Sequence, residues 1–131
     1  MPESTMMTPP GREGFGTVTP YVLVADIEHY LAFLETSFDA RVTYRTTGDG
    51  GGTHVEVRIG ESRVMVGESP QMKNNCALFL YVADADAVYR HAVGSGAESL
   101  LAPADGRFGE KRGAAVRDPE GHSWFIGRHA E

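Results

Sequence analysis

The strongest constraint on the fold is a pattern that occurs twice in the chain. Its first copy is YVLVADIEHYLAFLETSFDARV, Tyr21–Val42, and its second is LFLYVADADAVYRHAVGSGAESL, Leu78–Leu100. Each copy has an apolar strand that ends in Val-Ala-Asp, then a helical pattern, then a return to extended residues. The matched valines, Val24 and Val82, lie 58 residues apart, an interval longer than the repeats of solenoid proteins. We therefore interpret the pattern as a duplicated half-domain.

Both copies predict the same order of elements. Asp26 and Asp84 precede the two helical patterns, where an aspartate caps the first turn of a helix. Short alternating strands follow each helix, separated by glycine-rich turns and, in the second copy, by the turn DPEGH. These strands are predicted at residues 40–46, 53–59, 62–66, 97–101, 114–117 and 123–129, with a loop at 102–113. The order is β-α-β-β-β twice, which predicts an α+β fold.

The length of 131 residues is that of one domain. Residues 1–15 are rich in Pro, Gly, Ser and Thr and are predicted to form a disordered N-terminal tail. The domain is then expected at residues 16–131, with modules at about 16–70 and 75–131.

Charge and apolar runs exclude several classes of partner. The formal net charge of −6 gives no basic surface for nucleic acid or for an anionic membrane. No run approaches the roughly 20 apolar residues of a membrane span, and the first residues lack the apolar core of a secretory signal. Cys76 is the lone cysteine, so an internal disulfide is impossible and a reducing compartment is favoured. We expect a cytoplasmic protein that binds neither nucleic acid nor membranes.

Strand parity divides each sheet into two faces, because successive side chains point to opposite sides of a strand. One set is almost wholly Val, Leu and Ile and is predicted to lie under the helices. The other set mixes aromatic and polar residues: Tyr21, His54, Glu56, Arg58, Met65, Phe79, Tyr81, Ser123, Phe125 and His129. Apolar walls with a few polar groups are typical of a ligand pocket. A solvated sheet face and a dimer interface are the alternative interpretations.

Four segments resemble the glyoxalase/bleomycin-resistance/extradiol-dioxygenase superfamily, also called vicinal oxygen chelate proteins, and within it the PhnB-like branch. They are VTPYVLVAD, THVEVRIGESRVMVGE, ALFLYVADADAVYRHAVGSGA and, the most specific, FGEKRGAAVRDPEGHSWFIGRH. The resemblance covers residues 16–131. It implies two βαβββ modules that form a curved mixed sheet, an open cup that receives a small molecule, and a homodimer.

The metal enzymes of this superfamily place one metal ligand on the first and last strand of each module, normally His, Gln or Glu. The resemblance maps these positions onto Thr19, Met65 (or Val64), Ala77 and Phe125. Alanine, phenylalanine and methionine supply neither the imidazole nitrogens nor the carboxylate oxygens that a divalent ion needs there. The resemblance therefore implies a metal-free binding protein without a cofactor, similar to the antibiotic-sequestering members, with an aromatic ligand.

We predict a binding site whose walls are aromatic or apolar and whose polar contacts are charged or imidazole groups. Its residues are Tyr21, His54, Glu56, Met65, Phe79, Tyr81, Phe108, Arg112 and Phe125. Among these, Arg112 is expected either to clamp an anionic group or to form a surface salt bridge.

Two other functions stay open. His54 and Glu56 lie two residues apart on one strand face, so with Glu110 or His129 they would form a displaced metal site, or alone an acid–base pair, of an enzyme. We favour the interpretation of a hydrogen-bonded polar pair on a solvated strand, since two side chains do not make a tetrahedral metal site. The third class is a dimeric interaction protein whose cup is filled by its own side chains.

Overall fold

The computed structural model of the chain describes residues 11–48, 50–71 and 74–130. The first module contains β1 (Tyr21–Val24), α1 (Ile27–Phe38), β2 (Arg41–Thr47), β3 (Thr53–Ile59) and β4 (Ser62–Glu68). The second contains β5 (Ala77–Tyr81), α2 (Ala85–Gly94), β6 (Glu98–Asp105), a 3₁₀ turn (Arg107–Gly109), β7 (Arg112–Arg117) and β8 (Ser123–Arg128). The prediction of two βαβββ modules is confirmed. The predicted loop at 102–113 is shorter than expected, because β6 and β7 both extend into it.

Each module forms its own four-stranded mixed sheet, in the orders β1-β4-β3-β2 and β5-β8-β7-β6. The first strand of each module runs parallel to the last, and the other pairs are antiparallel. Among the described residues no strand ladder joins the two sheets. The fold thus contains two separate mixed sheets, with β1 at one edge of the first and β5 at one edge of the second.

The helices begin where the sequence predicts. The Asp26 carboxylate accepts a hydrogen bond from the His29 N–H at 3.1 Å, and the Asp84 carboxylate accepts one from the Ala87 N–H at 3.0 Å. Each aspartate thereby satisfies one of the N–H groups that the first helical turn leaves without an intrahelical partner.

The apolar faces of both sheets share one core with the helices. Val22, Val55, Val66 and Ile126 are fully buried, as strand parity predicts. The ring centroid of Phe38 at the end of α1 lies 4.7 Å from that of Trp124 on β8, so the first helix packs against the second sheet. Strand β5 departs from the expected pattern, because its helix-facing leucines are only half-buried, whereas Val22 and Val24 of the other edge strand, β1, are buried.

The turn DPEGH ties the second module to the first. The Asp118 carboxylate accepts hydrogen bonds from the Tyr30 hydroxyl at 2.6 Å and from the Trp124 indole N–H at 2.8 Å. His122 accepts from the Cys76 N–H through Nδ1 at 2.9 Å, and its Nε2 lies 3.0 Å from the Leu23 carbonyl oxygen. Since Nδ1 is the acceptor, Nε2 carries the proton and donates to Leu23.

Candidate functional site

A row of four residues crosses the first sheet on the side away from its buried valines, which we call the first face. Strand pairing sets Tyr21 beside Met65, Met65 beside Glu56, and Glu56 beside Tyr44. Because these positions lie on four adjacent strands, the side chains form a line of two phenols, a thioether and a carboxylate.

His54 connects two members of this row. The Tyr21 hydroxyl lies 3.2 Å from His54 Nδ1, and His54 Nε2 lies 3.6 Å from Glu56 Oε2. The rings of Tyr21 and His54 meet edge to face, with centroids 5.5 Å apart. The structure thus brings together all four residues that were predicted for this half of the site, with Met65 beside Glu56.

Arg12, from the segment before β1, lies across the first face. Its Nε donates to Glu56 Oε2 at 2.9 Å, and its guanidinium carbon lies 3.8 Å from the centre of the Tyr44 ring. The hydrogen bond to Glu56 raises the pKa of Arg12. Residues 1–10 of the predicted tail lie outside the described residues. In the part of the tail that is described, Arg12 contacts the sheet and Phe15 lies near the Arg63 guanidinium.

Glu56 is only 2% exposed although it carries a carboxyl group. Its Oε2 receives the hydrogen bond from Arg12. Its Oε1 is buried and has no hydrogen-bond partner among the described residues. A buried carboxylate with one oxygen left over is costly, so this position calls for an explanation beyond packing.

A cleft of ≈ 730 Å³ adjoins the first face, with Tyr21, His54 and Asn74 among its lining residues. The Asn74 side chain donates to the Tyr21 carbonyl oxygen at 2.8 Å and accepts from the Leu23 N–H at 3.0 Å. Asn74 thereby occupies backbone groups at the outer edge of β1. The sequence analysis missed Asn74, because no local pattern connects it with a strand so far away along the chain.

Four aromatic rings form one cluster on the second face, the corresponding side of the second sheet. Phe79 and Phe125 lie on paired strands with ring centroids 6.5 Å apart. Phe108 contacts both of these rings, at 5.8 and 5.4 Å, and Tyr81 lies 4.8 Å from Phe79. The four predicted aromatic walls of this module therefore come together.

Matched glycines let an aromatic side chain lie flat on each sheet. A Cβ atom on Gly67 of β4 would lie 2.7 Å from the Tyr21 hydroxyl, and one on Gly127 of β8 would lie 2.9 Å from the Phe79 ring. Glycine inside a strand often marks such a close approach. The sequence analysis did not single out either glycine, although Gly127 stands inside a predicted strand and that was the available signal.

The backbone around Phe108 is shaped to present its ring. Phe108 has φ 62°, between Gly106 and Gly109, which also have positive φ. A bulky residue in this left-handed region costs about 1–2 kcal/mol. Gly113 leaves room for the ring, because a Cβ there would lie 2.9 Å from Phe108. The ring contacts with Phe79 and Phe125 offset part of the strain.

Glu110 connects the aromatic cluster with the end of the chain. The Tyr81 hydroxyl donates to Glu110 Oε2 at 2.5 Å, and His129 Nδ1 lies 2.7 Å from Glu110 Oε1. The hydrogen bonds from Tyr81 and His129 lower the pKa of Glu110, and the bond to Glu110 raises the pKa of Tyr81. Glu110 and His129, which the sequence analysis considered only as partners of His54 and Glu56, instead pair with each other on the second sheet.

Arg112 does not join either face. Its Nε and one terminal nitrogen each lie 2.9 Å from the Asp86 carboxylate on α2, and its other terminal nitrogen lies 3.1 Å from Asp105. These carboxylates raise the pKa of Arg112. The guanidinium group of Arg112 pairs with carboxylates of the same chain on the helix side of the sheet. Of the two roles expected for Arg112, an anion clamp or a salt bridge, the structure has the salt bridge.

The family's metal positions offer a poor set of donors in this chain. Met65 and Phe125 lie in the two rows, Ala77 carries only a methyl group, and the Thr19 hydroxyl is a weak ligand for a divalent ion. In the part of the chain that the structure describes, no three His, Cys, Asp or Glu side chains form a group that could hold a metal ion. The residues present do not fit the family's metal.

Comparison with known proteins assigns the chain to a family. The family model of the Glyoxalase/Bleomycin resistance protein/Dioxygenase superfamily matches residues 14–126. The chain is 30% identical over 125 residues to an uncharacterised protein of Mycobacterium bovis, covering 85% of this chain and 82% of that protein. The same identity and length relate it to an uncharacterised protein of Mycobacterium tuberculosis, of which 73% is covered. The chain belongs to the glyoxalase/bleomycin resistance/dioxygenase superfamily.

Solved structures show the same fold at low sequence identity. TioX of a Micromonospora species has a TM-score of 0.68 and 24% identity, with 87% of this chain and 96% of that chain covered. The fosfomycin resistance protein FosX of Mesorhizobium loti has a TM-score of 0.66 and 20% identity, with 89% and 92% covered. A FosX variant of Listeria monocytogenes, in complex with Mn(II) and a dihydroxypropylphosphonic acid, has a TM-score of 0.64 and 19% identity, with 86% and 88% covered. A protein with this fold has thus been solved with a bound metal ion.

Neither helix in the described part of the chain has the length and apolar composition of a membrane-spanning segment.

Proposed function

We propose that the protein is a metal-free small-molecule binder that holds an aromatic compound against its second face. The observation that supports this most strongly is the exposed aromatic cluster. Phe79, Tyr81 and Phe108 are 42%, 65% and 38% exposed, yet their rings are held in contact with one another. Exposed apolar area of this kind is unfavourable in water. A flat ligand that stacks on the rings removes part of this area from water, which favours binding.

A sequestering role is the most concrete form of the proposal. Two of the structures with this fold are described as fosfomycin resistance proteins. We propose that this chain also protects its host against a drug or natural product, by withholding an aromatic molecule rather than by converting it. The lone Cys76 supports action in the cytoplasm, and the segment FGEKRGAAVRDPEGHSWFIGRH supports placement in the PhnB-like branch.

The experiment is a fluorescence titration with 2-naphthol, a flat and neutral probe. Phe79→Ala removes the central ring of the cluster, and we expect it to weaken binding by about tenfold because stacking area is lost. Val93→Ala is the matched control, since Val93 is an exposed apolar residue of α2 that lies outside the cluster. Equal affinities of the wild-type protein and Phe79→Ala would overturn the proposal.

We further propose a homodimer in which the first face of one protomer meets the second face of its partner. Two observations support this arrangement. The edge strand β5 leaves Leu78 and Leu80 half-exposed, and a cleft of ≈ 1080 Å³ is lined by residues of β5 together with Thr19 and Pro20. An open edge with apolar side chains favours pairing with another chain.

A mixing experiment tests this arrangement. Tyr21→Ala damages the first face and Phe79→Ala damages the second, so each homodimer lacks an intact cup. If the cup is built across the dimer, a mixed dimer regains one intact cup, and 2-naphthol binding returns when the two variants are refolded together. A cup within one chain gives no recovery. Light scattering that finds a monomer at the concentrations used would also overturn the dimer.

A metal-dependent lyase, isomerase or dioxygenase is the second candidate. The observation in its favour is the proximity of His54 to Glu56, together with the Mn(II)-containing relative. Its test is metal content after dialysis against Ni²⁺, Zn²⁺, Mn²⁺ and Fe²⁺. Stoichiometric metal that is lost in His54→Ala would replace the binding proposal by a displaced metal site. Equal 2-naphthol binding by Phe79→Ala and wild-type protein, without any metal, would favour an interaction protein with a filled cup.

A further inference from the structure

Two carboxylates are buried in the described part of the chain, and their surroundings differ sharply. Asp118 is 4% exposed and receives hydrogen bonds from Tyr30, Trp124 and two backbone N–H groups of its own turn. Glu56 is 2% exposed, and Arg12 donates to only one of its oxygens. The other oxygen has no hydrogen-bond partner among the described residues. Both oxygens of the Asp118 carboxylate thus have donors, whereas Glu56 keeps one oxygen that can still accept a hydrogen bond.

The way in which Arg12 binds Glu56 is also incomplete. Arg45 reaches both oxygens of Glu28 with its two terminal nitrogens, at 2.7 and 3.2 Å, and Arg112 holds both oxygens of Asp86. Arg12 approaches side-on through Nε and leaves Oε1 unsatisfied. A guanidinium group matches a carboxylate best when it binds both oxygens. Arg12 therefore occupies the site beside Glu56 but leaves the second carboxylate oxygen without a donor.

The Tyr44 ring supplies a flat platform for a cation at the same place. The Arg12 guanidinium lies 3.8 Å from the centre of this ring, a distance at which the π-face attracts a cation. Tyr44 and Glu56 are direct neighbours across the β2–β3 pair. A carboxylate beside an aromatic platform is the chemistry that recognises a planar organic cation.

We propose that Glu56 and Tyr44 form a binding site for a ligand with a guanidinium or amidinium group, and that Arg12 is an internal occupant that this ligand displaces. The site goes beyond the aromatic binder described above, because it lies on the first sheet and does not depend on the aromatic cluster. A free guanidinium or amidinium group binds both oxygens of Glu56 and stacks on Tyr44, whereas Arg12 lies over Tyr44 and donates to one oxygen of Glu56. Removal of Arg12 therefore opens the site.

Benzamidine is the probe, and benzamide, which has a similar shape without the charge, is its matched control. Isothermal titration calorimetry should show that Arg12→Ala binds benzamidine about tenfold more tightly than the wild-type protein, because the internal competitor is gone. Arg41→Ala removes an exposed guanidinium that pairs with Asp39 away from this row and should leave the affinity unchanged. In the Arg12→Ala background, Glu56→Gln should abolish benzamidine binding.

The outcomes separate this site from the aromatic cluster. Equal affinity of wild-type and Arg12→Ala protein, or binding that survives Glu56→Gln, would overturn the cation site. Benzamide binding as tight as that of benzamidine would also overturn it, and would assign the signal to stacking alone. If Arg12→Ala fails to fold, as judged by circular dichroism, the wild-type protein is titrated with benzamidine while the Arg12 Nε–H resonance is followed. A shift of that resonance supports displacement, and an unchanged resonance at saturation overturns it.

Discussion

The two modules share a strand order and a register, but the rows across their faces differ in chemistry. The first face carries polar groups in the row Tyr21, Met65, Glu56 and Tyr44. At the equivalent register the second face carries only apolar side chains, in the row Phe79, Phe125, Ala115 and Leu101. The carboxylate of the first row thus has a methyl group as its counterpart in the second.

This difference shows which part of a duplicated unit is free to change. The buried sides of both sheets stay apolar because they enclose one common core with the two helices. The opposite faces carry no such constraint, so one has acquired a charge and the other a cluster of rings. Fold and function are thereby separated within a single chain, since the same backbone carries two kinds of recognition surface.

The turns that precede the last strand of each module also differ. In the second module the turn between β7 and β8 carries Asp118 and His122, which reach across to Tyr30 and Leu23 of the first module. The turn between β3 and β4 is short and exposed and contains Glu61. The second turn therefore holds the two modules together, and the first turn only reverses the chain.

Removal of that connection should have the largest effect. Asp118→Ala leaves the Tyr30 hydroxyl and the Trp124 indole N–H without their acceptor in the core, so we expect the free energy of unfolding to fall by about 4 kcal/mol. Urea denaturation followed by tryptophan fluorescence measures this. Glu61→Ala, at the corresponding turn of the first module, is the control and should change stability by less than about 0.5 kcal/mol. Similar losses in both variants would contradict the difference between the turns.

An exchange of chemistry between the rows should have the next largest effect. Ala115→Glu places in the second row the residue that the first row carries at Glu56, but with Phe125 and Leu101 as its neighbours and without a partner such as Arg12. We expect a loss of about 3 kcal/mol in unfolding free energy, because a buried carboxyl group lacks donors there. Leu101→Glu, in the same row but 38% exposed, should cost less than about 1 kcal/mol. A tolerated Ala115→Glu would mean that the two faces do not differ in what they accept.

Much of the fold could be predicted because its signals are local. Asp26 and Asp84 mark the starts of the helices, because each caps a helix through a contact with a residue three positions further on. Alternation along a strand assigns Val22 and Val55 to the core without any knowledge of their neighbours. The burial of β5 was less predictable, because an apolar strand has the same sequence pattern at the edge of a sheet as at its centre.

The sequence predicted which residues lie on each face, but not which other residues they contact. The set that contains Tyr21, Glu56 and Phe79 follows from parity alone. The contact of Arg12 with Glu56 spans 44 residues and depends on where an irregular segment returns to the sheet. Arg112 was assigned to the ligand site on residue type, whereas its side chain points to the helix side of β7, where Asp86 lies.

The matched glycines offer a subtler way to sharpen the comparison. Gly127→Ala and Gly67→Ala both push an exposed aromatic side chain off its sheet, so we expect each to cost about 1 kcal/mol of stability. Their effects on 2-naphthol binding should differ, because only Gly127 lies under the proposed stacking cluster. We expect affinity to fall several-fold in Gly127→Ala and by a smaller factor in Gly67→Ala, as measured by fluorescence titration. Equal effects on binding would show that the ligand contacts both faces equally.

The smallest effect concerns the glutamate of the second face, whose setting contrasts with that of Glu56. Hydrogen bonds from Tyr81 and His129 lower the pKa of Glu110 below its ordinary value of 4.5. Because the folded-state pKa lies below the unfolded one, these contacts contribute stability above about pH 4.5. That contribution is lost as the pH falls through the folded value. Carbon-13 NMR titration of the Glu110 carboxyl group measures the folded pKa directly, and Tyr81→Phe should raise it because one donor is removed. A pKa that stays the same in Tyr81→Phe would show that the tyrosine hydroxyl does not stabilise this carboxylate. The second face would then hold a ring cluster without an ordered polar rim.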